Sequence, residues 1–166
     1  MSLPSLPTSD YRALAEFRHH LRRFLHFSEE AARAMGLEPQ QHQLLLSLRG
    51  LPPDRAATVG VLAERLQIRP HSTVELIDRT EARGLVGRGP SGGDRRQVVV
   101  RLTRRGEAVL SRLSLAHRTE LRAMGPALLG PLRALVGRRG SSRGTLRRAM
   151  PRQPCFGRTD APSTHH

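Results

Sequence analysis

The chain has 166 residues, enough for one domain with a sizeable core, but only 37% are hydrophobic, so part of it is expected to lie outside that core. Its 28 basic residues, all arginine, outnumber 14 acidic ones, and the formal charge of +14 points to nucleic acid or anionic membrane, although a GC-rich genome that encodes arginine by default accounts for part of it. A lone Cys155 excludes an intrachain disulfide and a thiolate metal cluster, no run reaches the ~18 apolar residues of a membrane span, and MSLPSLPTSD is not a secretory signal, so a cytoplasmic location is expected.

Met1–Asp10 reads as a mobile Pro/Ser tail. Tyr11–Met35 carries a helical seam of Leu14, Phe17, Leu21, Phe24 or Leu25, Ser28, Ala31 and Met35, closed by Gly36. Such a seam can pack within one chain or zip to a second copy. Glu38-Pro39 starts another helix, to about Arg49, with Leu44, Leu45 and Leu48 on its apolar face. Gly50–Asp54 breaks the chain. Thr58 suits the N-cap of a short helix, Val59–Leu66, and Gln67-Ile68-Arg69 makes a turn. Pro70 opens the next helix, on which Thr73, Leu76, Ile77 and Thr80 form the buried stripe. His71, Ser72, Val74, Glu75 and Asp78 point away from that stripe, and Gly84 closes the helix as a left-handed cap.

Leu85–Gly89 and Gln97–Leu102 read as strands around a Pro90–Asp94 turn, with Val98 and Val100 on one face and Val99 and Arg101 on the other. Thr103 suits the N-cap of a helix with apolar positions Leu110, Leu113, His117, Leu121 and Met124. His117 on that stripe reads as structural. Gly125-Pro126 is expected to break or kink it, leaving Ala127–Val136 as a short helix with Pro131 inside. Residues 137–166 have no periodicity and almost no acid. They read as a basic disordered tail, or as sequence translated out of frame.

Catalytic chemistry finds no footing. Gly87-x-Gly89-x-x-Gly92 matches a dinucleotide fingerprint, but a proline interrupts it and a basic strand rather than a helix follows. The eight histidines include no HExxH. His20 and Glu16 share a helix face, where a solvated surface is a better reading than a metal site. No enzyme, cofactor or metal is therefore expected. Arg88, Arg95, Arg96 and Arg101 crowd one hairpin and would repel one another there, unless the hairpin lies along a phosphate backbone.

These features together resemble the winged-helix core of the MarR family of bacterial transcriptional regulators. Asp94, Arg96, Leu102, Thr103 and Gly106 stand at the spacing of the family's wing signature, and Asp78-Arg79 and Arg83-Gly84-Leu85-Val86 also match. The likeness runs roughly from Tyr11 to Val136. Val61 departs from it, replacing a glutamate that would complete a capping box. Thr80 replaces an aliphatic residue.

The resemblance implies a mainly α fold with a small β-wing: a winged helix-turn-helix plus a helical dimerisation region. Residues 11–136 would be the domain, 58–106 its DNA-reading core, and 11–35 with 103–136 its dimerisation helices. It further implies a homodimer on a pseudo-palindromic operator in double-stranded DNA, repression, and release by a small aromatic or phenolic effector bound between the dimer helices and the DNA-reading domain. No membrane partner is implied. On the second helix of the motif, His71, Ser72 and Glu75 are placed to read base edges, and Arg69 and Arg79 to hold phosphates. Arg96, held by Asp94, would enter the minor groove beside Arg88 and Arg95. The rival reading is a non-specific nucleic-acid-binding protein, architectural or RNA-binding, that uses its arginine surface alone.

Overall fold

The computed structural model describes residues 5–91 and 98–137. Its elements, in order, are α1 (Thr8–Ala34), α2 (Pro39–Arg49), α3 (Val59–Leu66), α4 (Pro70–Ala82), β1 (Val86–Pro90), β2 (Val98–Leu102) and α5 (Arg104–Gly137). The fold is the expected mainly helical one with a small two-stranded wing. Leu44, Leu45, Leu62, Leu76, Ile77, Val86, Val100 and Leu113 form one core where α2, α3, α4, the wing and α5 meet. No described helix is long and apolar enough to cross a membrane.

The ends of the elements follow local chemistry. Thr58 caps α3, its hydroxyl accepting from the Val61 N–H at 3.4 Å. At the end of α4, Gly84 adopts φ +66°, where a side chain is disfavoured, and Leu85 N–H reaches back to the Thr80 carbonyl at 3.2 Å. Gln67 closes α3 in the same left-handed region at φ 53°, without glycine's freedom. Thr80, where the resemblance implies an aliphatic residue, is fully buried, and its hydroxyl donates to the Leu76 carbonyl at 2.6 Å. That bond explains how the interior accepts it.

β1 and β2 pair antiparallel, Val86 with Leu102 through Pro90 with Val98. The other edge of β2 is covered before α3, where Val100 N–H donates to the Ala57 carbonyl at 3.0 Å. Val99 and Val100, neighbours on opposite faces of the strand, are both buried, while Val98 is exposed. Thr103 then joins three elements. Its N–H donates to Leu85 O at 3.1 Å, its hydroxyl donates to Gly84 O at 2.7 Å, and the same oxygen accepts from Gly106 N–H at 3.1 Å. Gly106 lies so close to β1 that a Cβ on it would stand 2.0 Å from the Leu85 carbonyl oxygen. Only glycine fits there.

Two expectations about the long helices need correction. α1 begins at Thr8, inside the segment read as a tail. α5 is one 34-residue helix that runs through Gly125, Pro126 and Pro131 without a break. A proline inside a helix removes one hydrogen bond and costs about 3 kcal/mol. Packing of α5 along α1 offsets that cost, and the exposed position of Pro126 lets water reach the carbonyl left unbonded. The segment 138–166, read as a basic tail, lies outside the described residues.

Candidate nucleic-acid interface

Helix α4 is seated by its inner face. Thr73, Leu76, Ile77 and Thr80 are buried, as their spacing predicts. Thr73 fixes the first turn: its N–H and hydroxyl both donate to the Arg69 carbonyl, at 3.0 and 3.1 Å. The outer face of that turn carries Arg69, His71 and Glu75, all exposed, with Ser72 half-buried beside them. Arg69 and Glu75 take part in no ion pair among the described residues. The N-terminal half of α4 therefore presents a cation, an imidazole, a hydroxyl and a carboxylate from one rigid turn. These groups supply the donors and acceptors that base edges and phosphates require.

The C-terminal half of α4 is tied to its neighbours. Arg88, from β1, bonds both Asp78 and Glu81 through its guanidinium, and its backbone N–H donates to Glu81 Oε1 at 3.0 Å. Burial alone would lower the Arg88 pKa, but the hydrogen bonds to Asp78 and Glu81 outweigh it and the pKa rises. Arg88, expected to lie along a phosphate backbone, is thus engaged within the protein. Its single positive charge offsets one of two carboxylate charges that would otherwise repel a nearby phosphate. Arg79 stands 3.7 Å from Glu38, the N-cap of α2, a half-exposed pair worth about 0–1 kcal/mol that leaves its guanidinium free to exchange partners. Arg101 donates to the Pro90 carbonyl at 3.0 Å, across the wing. Asp94, Arg95 and Arg96 lie outside the described residues.

Sequence spacing does not find Gln41, which is 1% exposed. Its Oε1 accepts from Glu38 N–H at 3.1 Å, closing the start of α2, and from Arg83 Nη1 at 2.8 Å, at the end of α4. The signal that points to it is its place three residues after the N-cap Glu38, where a side chain reaches back to the cap. Through it the N-terminus of α2 holds the far end of α4.

A cavity of about 550 Å³ opens between α1, α2 and α5. Phe24, Leu25, Leu46 and Leu121 give it apolar walls, and the exposed Arg118 and Arg122 stand at its rim. In its wall His42 and His117 stack with ring centroids 4.7 Å apart. His117 bonds Leu113 O at 2.6 Å through Nδ1 and Ser28 Oγ at 2.7 Å through Nε2, and two T-shaped contacts, with Phe24 and Phe27, complete its surroundings. His117 is structural as expected, but it also lines the cavity. Burial first, and the neighbouring His117 second, push the His42 pKa down to about 4. Among the described residues no group of three or more His, Cys, Asp or Glu is placed to hold a metal ion.

Comparison with known proteins agrees with this geometry. The MarR family profile matches residues 35–97, which span α2, the helix-turn-helix and the start of the wing. The fold is similar to AbsC, a MarR family transcriptional regulator from Streptomyces coelicolor: 21% identity, TM-score 0.63, covering 82% of this chain and 91% of that one. It is also similar to the transcriptional repressor CouR bound to a 23-mer DNA duplex, at 27% identity and TM-score 0.55, covering 72% of this chain and 88% of that one. CouR from Rhodococcus jostii bound to p-coumaroyl-CoA matches at 21% identity and TM-score 0.54, covering 70% and 82%. A sequence comparison with curated proteins gave no match.

Proposed function

We infer that this chain, a DNA-binding transcription regulator of the MarR family with a winged helix-turn-helix fold, is a ligand-responsive repressor that binds a pseudo-palindromic operator as a homodimer in the cytoplasm. Family members are transcription regulators, not enzymes. The observation that carries the reading is the division of α4: a buried stripe holds the helix rigid while Arg69, His71, Ser72 and Glu75 stand on the opposite side of its first turns.

In this reading the N-terminal half of α4 enters the major groove. His71, Ser72 and Glu75 meet base edges, Glu75 accepting from a cytosine amino group, while Arg69 and Arg79 meet phosphates. Arg88 sets the wing against α4. Arg95 and Arg96, with Asp94 holding the latter, follow the minor groove as the wing signature implies. A small aromatic or phenolic effector occupies the cavity between α1, α2 and α5 and releases the DNA. The ligand-bound CouR structure supports that kind of control.

Fluorescence anisotropy at fixed salt tests the reading, with a duplex from the gene's own upstream region and a scrambled duplex. The parent should prefer the former by about 10³-fold or more. Replacing Ser72 and Glu75 together with alanine should cut that preference by about 10–100-fold while leaving affinity for scrambled DNA nearly unchanged. A parent that binds both duplexes equally would establish the non-specific nucleic-acid-binding alternative instead.

A further inference from the structure

Resting on the reading of the α1–α2–α5 cavity as an effector site, we propose that His42 sets its specificity by hydrogen-bonding an uncharged hydroxyl of a small aromatic acid whose carboxylate meets Arg118 and Arg122. The two stacked histidines are not equivalent. His117 faces the Leu113 carbonyl through Nδ1, and a carbonyl only accepts, so the proton sits on Nδ1. Its Nε2 then accepts from the Ser28 hydroxyl, and both nitrogens are satisfied. His42 is only 4% exposed and lines the cavity, and its imidazole has no hydrogen bond to any described residue. An imidazole in the cavity wall with no hydrogen-bond partner among the described residues is open to a ligand's polar group.

The chemistry of that group follows from the charge state of the ring. With its pKa near 4, His42 is neutral at physiological pH and offers one donor and one acceptor. A hydroxyl matches both. A carboxylate matches only the donor and finds no compensating charge, so it belongs at the rim, where Arg118 and Arg122 are exposed and have no ion pair among the described residues. Phe24, Leu25, Leu46 and Leu121 between these two ends suit an aromatic ring. The ligand therefore enters hydroxyl first.

Titration calorimetry of the full chain at about pH 7.5, with 4-hydroxybenzoate and benzoate as matched probes, tests this. The parent should bind the hydroxylated acid about tenfold more tightly. His42→Phe should bring the ratio close to one with benzoate affinity within about twofold, and His42→Gln, which keeps a donor and an acceptor, should retain a preference. Arg118→Ala should weaken both probes alike. A His42→Phe protein with the parent's ratio overturns the proposal. So does a parent that binds neither acid up to roughly 10 mM, and if it still binds its operator, the regulator reading survives. If the probes are discriminated as expected but leave operator binding unchanged, His42 keeps its role and effector-driven release falls.

Discussion

The DNA-reading core and the α1–α5 helix pair are both rich in leucine and arginine, yet they dispose of their apolar side chains in opposite ways. In the core, Leu62, Leu76, Ile77, Val86 and Val100 are all closed off from solvent. Along the helix pair, Leu14, Leu21, Leu25, Leu129, Leu132 and Val136 remain exposed, the last by 71%. The first region completes its burial within one chain. The second leaves apolar surface that water must cover until another surface does. The core's stability is therefore a property of the single chain. In the homodimer reading, the helix pair's stability depends on protein concentration as well.

The sharpest way to break the core without touching the helix-pair surface is at Gly106. A methyl group there would overlap the Leu85 carbonyl oxygen at 2.0 Å, and backbone on both sides would have to move. Gly106→Ala should cost about 3 kcal/mol or more, read as a lower urea midpoint at unchanged slope. A loss below about 1 kcal/mol would mean that the α5–β1 junction yields more easily than its geometry implies.

The converse experiment targets the helix pair. Leu14→Glu together with Leu132→Glu places charge on surface that a second copy would bury. The double variant should dimerise about hundredfold more weakly by sedimentation equilibrium, with unchanged helix content by circular dichroism. An unchanged dimer constant would place the interface elsewhere on the molecule.

The two regions also differ in how far the sequence reveals them. The inner stripe of α4 is legible because helical spacing, Pro70 and Gly84 all agree, and the Asp-x-Arg signature adds a wing after it. These are local signals. The unbroken course of α5 is not legible, because the cost of Pro126 is written in the sequence while the α1 surface that offsets it is contributed from the other end of the chain. The ion pairs of Arg88 are hidden for a similar reason. Its charge is visible, but its partners Asp78 and Glu81 come together only when β1 folds back along α4. His42 is hidden altogether, since it stands off the Leu44–Leu45–Leu48 face and gains meaning only when α5 brings His117 against it. Structural features carried by one helix are readable, and those made by the meeting of elements are not.

The smallest expected effect lies at that meeting, and acid reveals it. His42, on α2, lines the cavity against α1 and α5, with His117 stacked on it and Arg118 and Arg122 at the cavity rim; none of these neighbours offers a negative charge to a protonated ring. In the unfolded chain His42 titrates near its ordinary 6.5, and in the folded chain near 4. Above 6.5 the ring is neutral in both states, and stability is at its full value. Between 6.5 and 4 the unfolded chain takes up a proton that the folded chain refuses, so stability falls with falling pH. Below 4 both states are protonated and the loss levels off. The gap corresponds to roughly 3 kcal/mol at most, reduced to about 2 because solvent in the cavity reaches the ring. Carboxylates also titrate near the lower end, so the quantity to measure is the difference between parent and His42→Phe. Urea unfolding from about pH 7.5 down to about 4.5 should show the parent losing about 2 kcal/mol more than the variant. Parallel curves would mean that the folded protein accommodates a charged His42, and that the boundary between the two regions is wetter than its packing suggests.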